Sequence, residues 1–316
     1  MVKIHSLRTD DLKLLGYTQF SGLNFKGATM VDTIEEADAV FIPLPTRPVL
    51  DPSQRGIHMG APELQEIITK FGLEEKRVIT YDCSDFTADY TATNPNCIFI
   101  RCSAKGWYVR QMPRTISWPW PVENWADVVP MPEGGFKYDV SGHMWLSSST
   151  RVNAIDSVRE TFGARADLVT RKEFWGYLER DDLARAMPMK VAMKKSMQES
   201  RVSLCPASIP NVFPYRFFEA LSAGRVPALF CSDYVLPFGT KVKYNDFCLM
   251  FGEEDSRQAG PLIKEWLSRH TDDEIIAMGL RGREAFQQWL NVRDRGDELM
   301  TYAIEEALRY DGLLKP

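Results

Sequence analysis

An arginine and a glutamate, Arg216 and Glu219, open an otherwise apolar helical run in "SIPNVFPYRFFEALSAGRVPALF" (208–230). Three residues apart, they share one face of a helix. An apolar strand at 201–205 precedes them, and Pro214 suits the first turn of the helix. Free backbone N–H groups and the helix dipole favour an anion at such a terminus. Arg216 in the first turn holds a phosphate through charge-assisted bonds. Glu219, one turn on, accepts hydrogen bonds from a cis-diol such as a ribose. The pair suits a nucleoside diphosphate. The same spacing also makes a surface salt bridge, worth about 0.2–0.5 kcal/mol.

The surrounding elements must position these two charges. "VKIHSL" (2–7) reads as a strand, and so does Ala39–Leu44, stopped by Pro43 and Pro45. "APELQEIITKFG" (61–72) carries Leu64, Ile67, Ile68 and Phe71 at helical spacing, with Gly72 as its stop. Strands follow at 77–82 and 97–102. Residues 107–136 hold too many prolines for a long helix and read as an irregular crossing. A strand at 138–144 is expected to end in a turn at Gly142. The helix at 149–163 shows a Val152, Ile155, Val158 stripe, and a helical segment at 181–200 is expected to break at Pro188. The strand at 201–205, helix at 214–223 and strand at 226–231 form a further βαβ unit, and helices close the chain. Alternating strands and helices predict parallel sheets. The expected architecture is α/β, with two Rossmann-like domains facing each other across a cleft. Residues 1–136 form the expected N-terminal domain and 137–290 the C-terminal domain. A final helix at 291–316 packs back on the first.

Whole-chain quantities narrow the class. The 316 residues, 44% hydrophobic and 26% charged, suit a soluble enzyme with a large core. A net charge of −5 gives no general attraction to nucleic acid. The six cysteines include no CxxC pair, which argues against a zinc or redox site and for reduced thiols. No leader-like N-terminus and no apolar run near the roughly 18 residues of a membrane span are present, so a cytoplasmic protein is expected.

The block "ESRVSLCPASIPNVFPYRFFEALSAGRVPALFCSDYVLPF" (199–238) resembles the signature of exostosin-like glycosyltransferases. Its strand, loop, Arg-x-x-Glu-Ala-Leu helix, Gly, Val-Pro strand, Asp-Tyr and Leu-Pro-Phe occur in the family's order. "IEEADAVFIPLP", "VSGHMWLSSSTRVNAIDSVRETFG" and "DDEIIAMGLRGREAFQQWL" are similar to further family segments. The resemblance implies a GT-B fold, a nucleotide-sugar donor (a UDP-sugar first) held by the C-terminal half, and no metal or other cofactor. One departure stands out: Tyr215 replaces the small hydroxylic residue usual before the arginine. On this reading Arg216, Glu219, Ser208, Asn211 and Tyr215 bind the donor. Arg151 at a Ser-rich helix start, Asp233 at a strand end, and His143 complete that side.

Transfer passes through an oxocarbenium-like state while negative charge grows on the departing diphosphate, so cations there stabilise it. Inversion, the expected outcome, also needs a base near the acceptor hydroxyl. Asp82 and Asp85, at a strand end in "YDCSDF", and His58 are the candidates. From Thr91 to Pro121 there is no acidic residue, while Arg110 and Arg114 interleave with Trp107, Trp118 and Trp120. Such a segment suits an acceptor glycan, or DNA carrying hydroxymethylated bases. A non-catalytic nucleotide-sugar or glycan-binding module of the same fold is the reading from a different class.

Overall fold

The computed structural model describes residues 1–16, 25–46, 61–82, 96–102, 104, 115–172, 182–208 and 212–310. The chain divides into two compact units. One comprises Met1–Pro119, Val235–Phe238 and Asp294–Pro316; the other comprises Trp120–Tyr234 and Gly239–Arg293. The sequence-based boundary was set at 136/137, and the contacts divide the chain after Pro119. From Asp294 onward the C-terminal helix Val292–Tyr310 belongs to the first unit, where Glu305 accepts a bond from the backbone N–H of Val2 (3.1 Å).

The first unit holds six parallel strands: β1 (Lys3–Ser6), β2 (Thr29–Met30), β3 (Ala39–Thr46), β4 (Arg77–Asp82), β5 (Cys97–Arg101) and β6 (Thr115–Ser117). Their order is β2-β1-β3-β4-β5-β6. The short helix α1 (Thr9–Leu14) follows β1, and α2 (Ala61–Lys70) buries Leu64, Ile67 and Ile68 against Val40, Ile42, Val78 and Phe99 of the sheet. Gly72, with φ +65°, ends this helix as expected, and the Leu73 N–H returns to the Ile68 carbonyl (2.9 Å). Pro43 and Pro45 do not stop β3. The pairing of β3 with β4 shifts register between Phe41 and Pro45, and this irregularity accommodates residues that lack an N–H.

The second unit is a five-stranded parallel sheet made of β7 (Tyr138–Trp145), β8 (Ala166–Arg171), β9 (Ser200–Pro206), β10 (Val226–Phe230) and β11 (Leu249–Phe251). Its order is β11-β10-β9-β7-β8. Its helices are α3 (Ser149–Phe162), α4 (Leu183–Gln198), α5 (Tyr215–Ser222), α6 (Ala259–Leu267) and α7 (Asp272–Ala285). Val140, Val202, Leu204, Val226, Ala228 and Phe230 of the sheet meet Ala154, Ile155 and Val158 of α3 in the core. Ile155 and Val158 are buried as expected, whereas Val152 is 39% exposed and Thr150, Ala154 and Ser157 complete the buried face of α3.

Two local expectations are corrected here. Gly142 is no turn. It lies inside β7, where an added Cβ would meet Met144 Cε at 3.0 Å, Leu168 Cδ2 at 3.2 Å and Leu204 Cβ at 3.4 Å, so the residue permits close cross-strand packing. Pro188 sits within a continuous α4. The strands β8 and β11 escaped the sequence reading. The first is a half-exposed edge strand without an apolar run, and the second has only three residues.

In both sheets the first strand of the unit is flanked by the second on one side and the third on the other. The winding direction therefore reverses there, between β1 and β3 and between β7 and β9. Open α/β sheets bind ligands beyond the C-terminal ends of the two strands flanking such a reversal. Close packing on the opposite side of the second sheet gives a test of the core. A Cβ on Gly279 of α7 would stand 2.2 Å from the Gly224 carbonyl oxygen. Gly279→Ala should therefore destabilise the second unit by about 1–3 kcal/mol through overpacking, read as a lower midpoint in denaturant unfolding.

Candidate functional site

Beyond the ends of β7 and β9 the second unit contains a cavity of about 290 Å³. Its floor is built by hydrogen bonds that tie the two strand ends together. The Arg151 guanidinium donates from Nη1 to the Trp145 carbonyl (2.8 Å) and Ser147 Oγ (3.3 Å), and from Nε to the Pro206 carbonyl (3.4 Å). Ser148 caps α3 by accepting from the Arg151 N–H (3.2 Å), and its hydroxyl donates to the Ala207 carbonyl (2.8 Å). The Ser147 hydroxyl donates to the Ser208 carbonyl. The serine-rich turn thus joins the end of β7 to the loop after β9.

The opposite wall is α5. Pro214 occupies its N-cap position and supplies no side-chain cap. Tyr215 is 42% exposed and lies on the Trp120 ring, centroids 4.2 Å apart. Trp120 is itself buried and donates from Nε1 to the Phe213 carbonyl (3.0 Å). Arg216 and Glu219 project into the cavity lining, their side chains only 16% and 18% exposed, with Arg216 Nε 3.5 Å from Glu219 Oε2. That separation is long for a hydrogen bond. Among the described residues, Nε and Nη1 of Arg216 are buried without a hydrogen-bond partner.

Charge is unevenly distributed around the cavity. On one side Glu123 meets Lys190 Nζ (2.6 Å), Arg293 Nη1 (3.6 Å) and Trp125 Nε1 (3.2 Å). Burial is the largest single influence on Glu123 and raises its pKa, but the bonds from Lys190 and Trp125 and the nearby cations leave it below its ordinary value. On the other side Arg216, Arg171 and His143 line the same cavity. Burial, then the charge of Arg216, lowers the Arg171 pKa to about 10, with Glu219 acting against them. Burial first, then Arg216, lowers His143 to about 4; Asp167, 3.7 Å from its Nε2, pulls the other way, and Arg171 adds to the lowering. Buried polar groups are almost always satisfied, and a charged donor left without a partner costs more than a neutral one. The cavity presents converging, mutually repelling cations, which is the electrostatic form of an anion site.

The structure brings together five of the residues expected on the donor side: Arg216, Glu219, Arg151, Tyr215 and His143 all line the cavity. Arg151 does so as part of the wall, its bonds directed to backbone carbonyls. Ser208 borders the site through its carbonyl, whereas Asp233, in a turn after β10 with φ +47°, is not among the lining residues. Trp118 and Trp120, expected to stack on an acceptor, are only 3% and 4% exposed, Trp118 lying in the first unit against Phe238 (5.7 Å). Asp82 is the last residue of β4, paired along the backbone with Arg101. His58, Asp85, Trp107, Arg110, Arg114 and Asn211 lie outside the described residues. Sequence reading missed Arg171, Lys190, Arg293 and Glu123. Arg171 had one detectable signal: "ADLVTR" follows a Gly-terminated helix, as the second strand of a βαβ unit does.

The fold and site define an α/β protein of two parallel, Rossmann-like units with an arginine-lined cavity at the strand reversal of the second. No protein-family model and no curated protein matches the chain. Among solved structures, TarM aligns with 87% of this chain at 10% identity and a TM-score of 0.44, and the chain spans 54% of TarM's length. A glycosyltransferase from Rickettsia africae ESF-5 aligns over 99% of this chain and 98% of its own, at 11% identity and 0.40. AviGT4, a glycosyltransferase involved in avilamycin A biosynthesis, aligns over 94% and 98%, at 11% identity and 0.33. Scores at this level carry no argument about this chain. Its class follows from its own strand order, and the exostosin-like resemblance rests on the sequence of 199–238.

The pKa of His143 has a consequence for stability. Unfolded, the imidazole titrates near 6.5; folded, near 4. Between those values the unfolded state holds more protons, so stability is greatest above pH 6.5, falls as pH drops toward 4, and levels off below. The loss between pH 7 and pH 5 should be on the order of 2 kcal/mol. Denaturant unfolding at the two pH values should show it in the native protein and not in His143→Gln.

Proposed function

We propose that the chain is a glycosyltransferase of GT-B type and that the cavity of its second unit holds the diphosphate and ribose of a nucleotide-sugar donor, a UDP-sugar first. The observation that carries this reading is Arg216, whose buried Nε and Nη1 have no hydrogen-bond partner among the described residues, beside Arg171 and His143 in the cavity lining. A diphosphate supplies acceptors for those N–H groups and relieves the repulsion between the arginines. Glu219, one turn further on, is the acceptor for the ribose diol. The motif in 199–238 supplies the sugar-transfer chemistry of the proposal; the cavity supports the anion.

The acceptor hydroxyl, on a glycan, attacks the anomeric carbon. The bond from that carbon to the diphosphate breaks, and its electron pair leaves with the diphosphate, where Arg216 and Arg171 stabilise the growing charge. A base takes the acceptor proton. Asp82, Asp85 and His58 of the first unit are the candidates for it, and attack opposite the leaving group inverts the anomeric centre. Trp107, Arg110 and Arg114 of the same unit are assigned to the acceptor.

Arg216→Lys keeps the charge and loses the planar fork. It should lower kcat more than donor affinity, because charge on the diphosphate is greatest as the bond breaks; a loss confined to affinity would reduce Arg216 to a ground-state clamp. Glu219→Ala removes charge-assisted bonds worth about 1.5–3 kcal/mol each, so donor affinity should fall at least about tenfold by calorimetry while the fold survives.

The diphosphate charge must be met by protein cations or by a divalent ion. The cavity lining already holds Arg216, Arg171, Arg151, Lys190 and Arg293. Transfer should therefore persist in EDTA. Loss of turnover in EDTA with recovery on adding Mn²⁺ would sink the metal-independent mechanism.

A further inference from the structure

His143 is 4% exposed, lines the cavity, and among the described residues has no hydrogen-bond partner at either ring nitrogen. It lies on β7, next to the strand reversal. The charged groups acting on it come from the two neighbouring elements: Arg216 on α5, and Asp167 and Arg171 on β8. Asp167 Oδ2 is 3.7 Å from His143 Nε2. Glu219, also on α5, stands 3.5 Å beyond Arg216 Nε. In the empty cavity the two arginines oppose a third positive charge, and burial opposes it further. The ring therefore stays neutral, with Asp167 near one nitrogen but beyond hydrogen-bond distance.

An anion of two negative charges changes each of these influences. It offsets the field of Arg216 and Arg171, and it attracts an imidazolium directly. An opposite charge within about 4–6 Å favours the charged form of a titratable group. A neutral ring offers the phosphoryl oxygens one N–H and turns a lone pair to something else. A protonated ring offers two, one for a phosphoryl oxygen and one for Asp167.

We propose that His143 is a further diphosphate-binding residue that acquires its charge with the ligand: a nucleoside diphosphate enters the cavity together with a proton, which His143 takes from solvent. The inference rests on the donor-site reading and adds to it a proton that the binding equilibrium must count. The cationic set around the diphosphate then has a member present only in the complex, so the empty site avoids the repulsion of three buried positive groups. Binding tightens as pH falls through the pKa of the bound form, and the dependence ends at the lower pKa of the empty form.

The test is calorimetry of the full chain with UDP-glucose and GDP-mannose, each in two buffers of different ionisation heat. These diphosphate diesters carry no phosphate group that titrates near neutrality, so any proton taken up belongs to the protein. The expected result for the sugar nucleotide that binds is net uptake approaching about one proton, with affinity rising up to about tenfold per unit fall in pH. His143→Gln, which keeps a hydrogen-bonding amide, should still bind, more weakly, with no uptake and a flat pH profile. His143→Asn serves the same purpose if the glutamine variant does not fold. Binding to the native protein without proton uptake overturns the role of His143 and leaves the donor site standing. Uptake that persists undiminished in the variant also overturns it, because the proton then resides elsewhere. If neither nucleotide sugar binds, the donor-site reading falls and this inference falls with it.

Discussion

The cavity of the second unit is arranged around one guanidinium, that of Arg216, two of whose buried N–H groups have no hydrogen-bond partner among the described residues. Arg225 is a buried arginine whose guanidinium is bonded to the backbone on every side the fold offers it. Arg225, only 3% exposed, donates to the carbonyls of Met197 (3.0 Å), Gly224 (3.0 Å), Val129 (2.8 Å) and Gln198 (2.9 Å). Arg151 is likewise bonded to the ends of two strands. Arg216 lies in the same unit with Glu219 3.5 Å from its Nε, and among the described residues its Nε and Nη1 have no hydrogen-bond partner. The contrast separates an arginine bonded to the backbone from one whose buried N–H groups face the cavity lining.

Such a residue persists only if its surroundings cannot collapse onto it. The serine-rich turn and Arg151 tie the ends of β7 and β9 together, and the Trp120 ring packs against Tyr215. Close packing fixes the rest. Gly142 brings β7 tightly between Leu168 and Leu204, and Gly279 brings α7 onto the Gly224 carbonyl. The energy that stabilises the core thereby keeps open a cavity whose lining is electrostatically unfavourable when empty. Cys205, buried under this floor, has its thiol pKa pushed up to about 12 by burial, so it acts as a small apolar residue there.

The cavity separates balanced from unbalanced charge. Glu123 gathers Lys190, Arg293 and the Trp125 N–H into a compensated group. Opposite it, Arg216 and Arg171 face a histidine held neutral, and Glu219 is the carboxylate nearest to them. Among the described residues no helix is long and apolar enough to cross a membrane.

The parallel α/β class, the strand–helix–strand order around 201–230, and the meeting of Arg216 with Glu219 on one face were legible in the sequence. Each follows from short-range periodicity and from the geometry of a single helix. The cap at Gly72 and the Ser-rich start of α3 were legible for the same reason. The edge strand β8 was not, because its partly exposed residues form no apolar run, and with it Arg171 stayed hidden. Gly142 reads as a turn until its neighbours on two other strands are known. Prolines in β3 and α4 looked like stops because their local cost is visible in sequence, while the bulge and the helix packing that accommodate them are not. Which charges are answered and which are left bare depends on atoms far apart in the chain, such as Glu123 with Lys190 or His143 with Arg216. Only the tertiary structure decided that, because a charge has no partner until the fold brings one within reach.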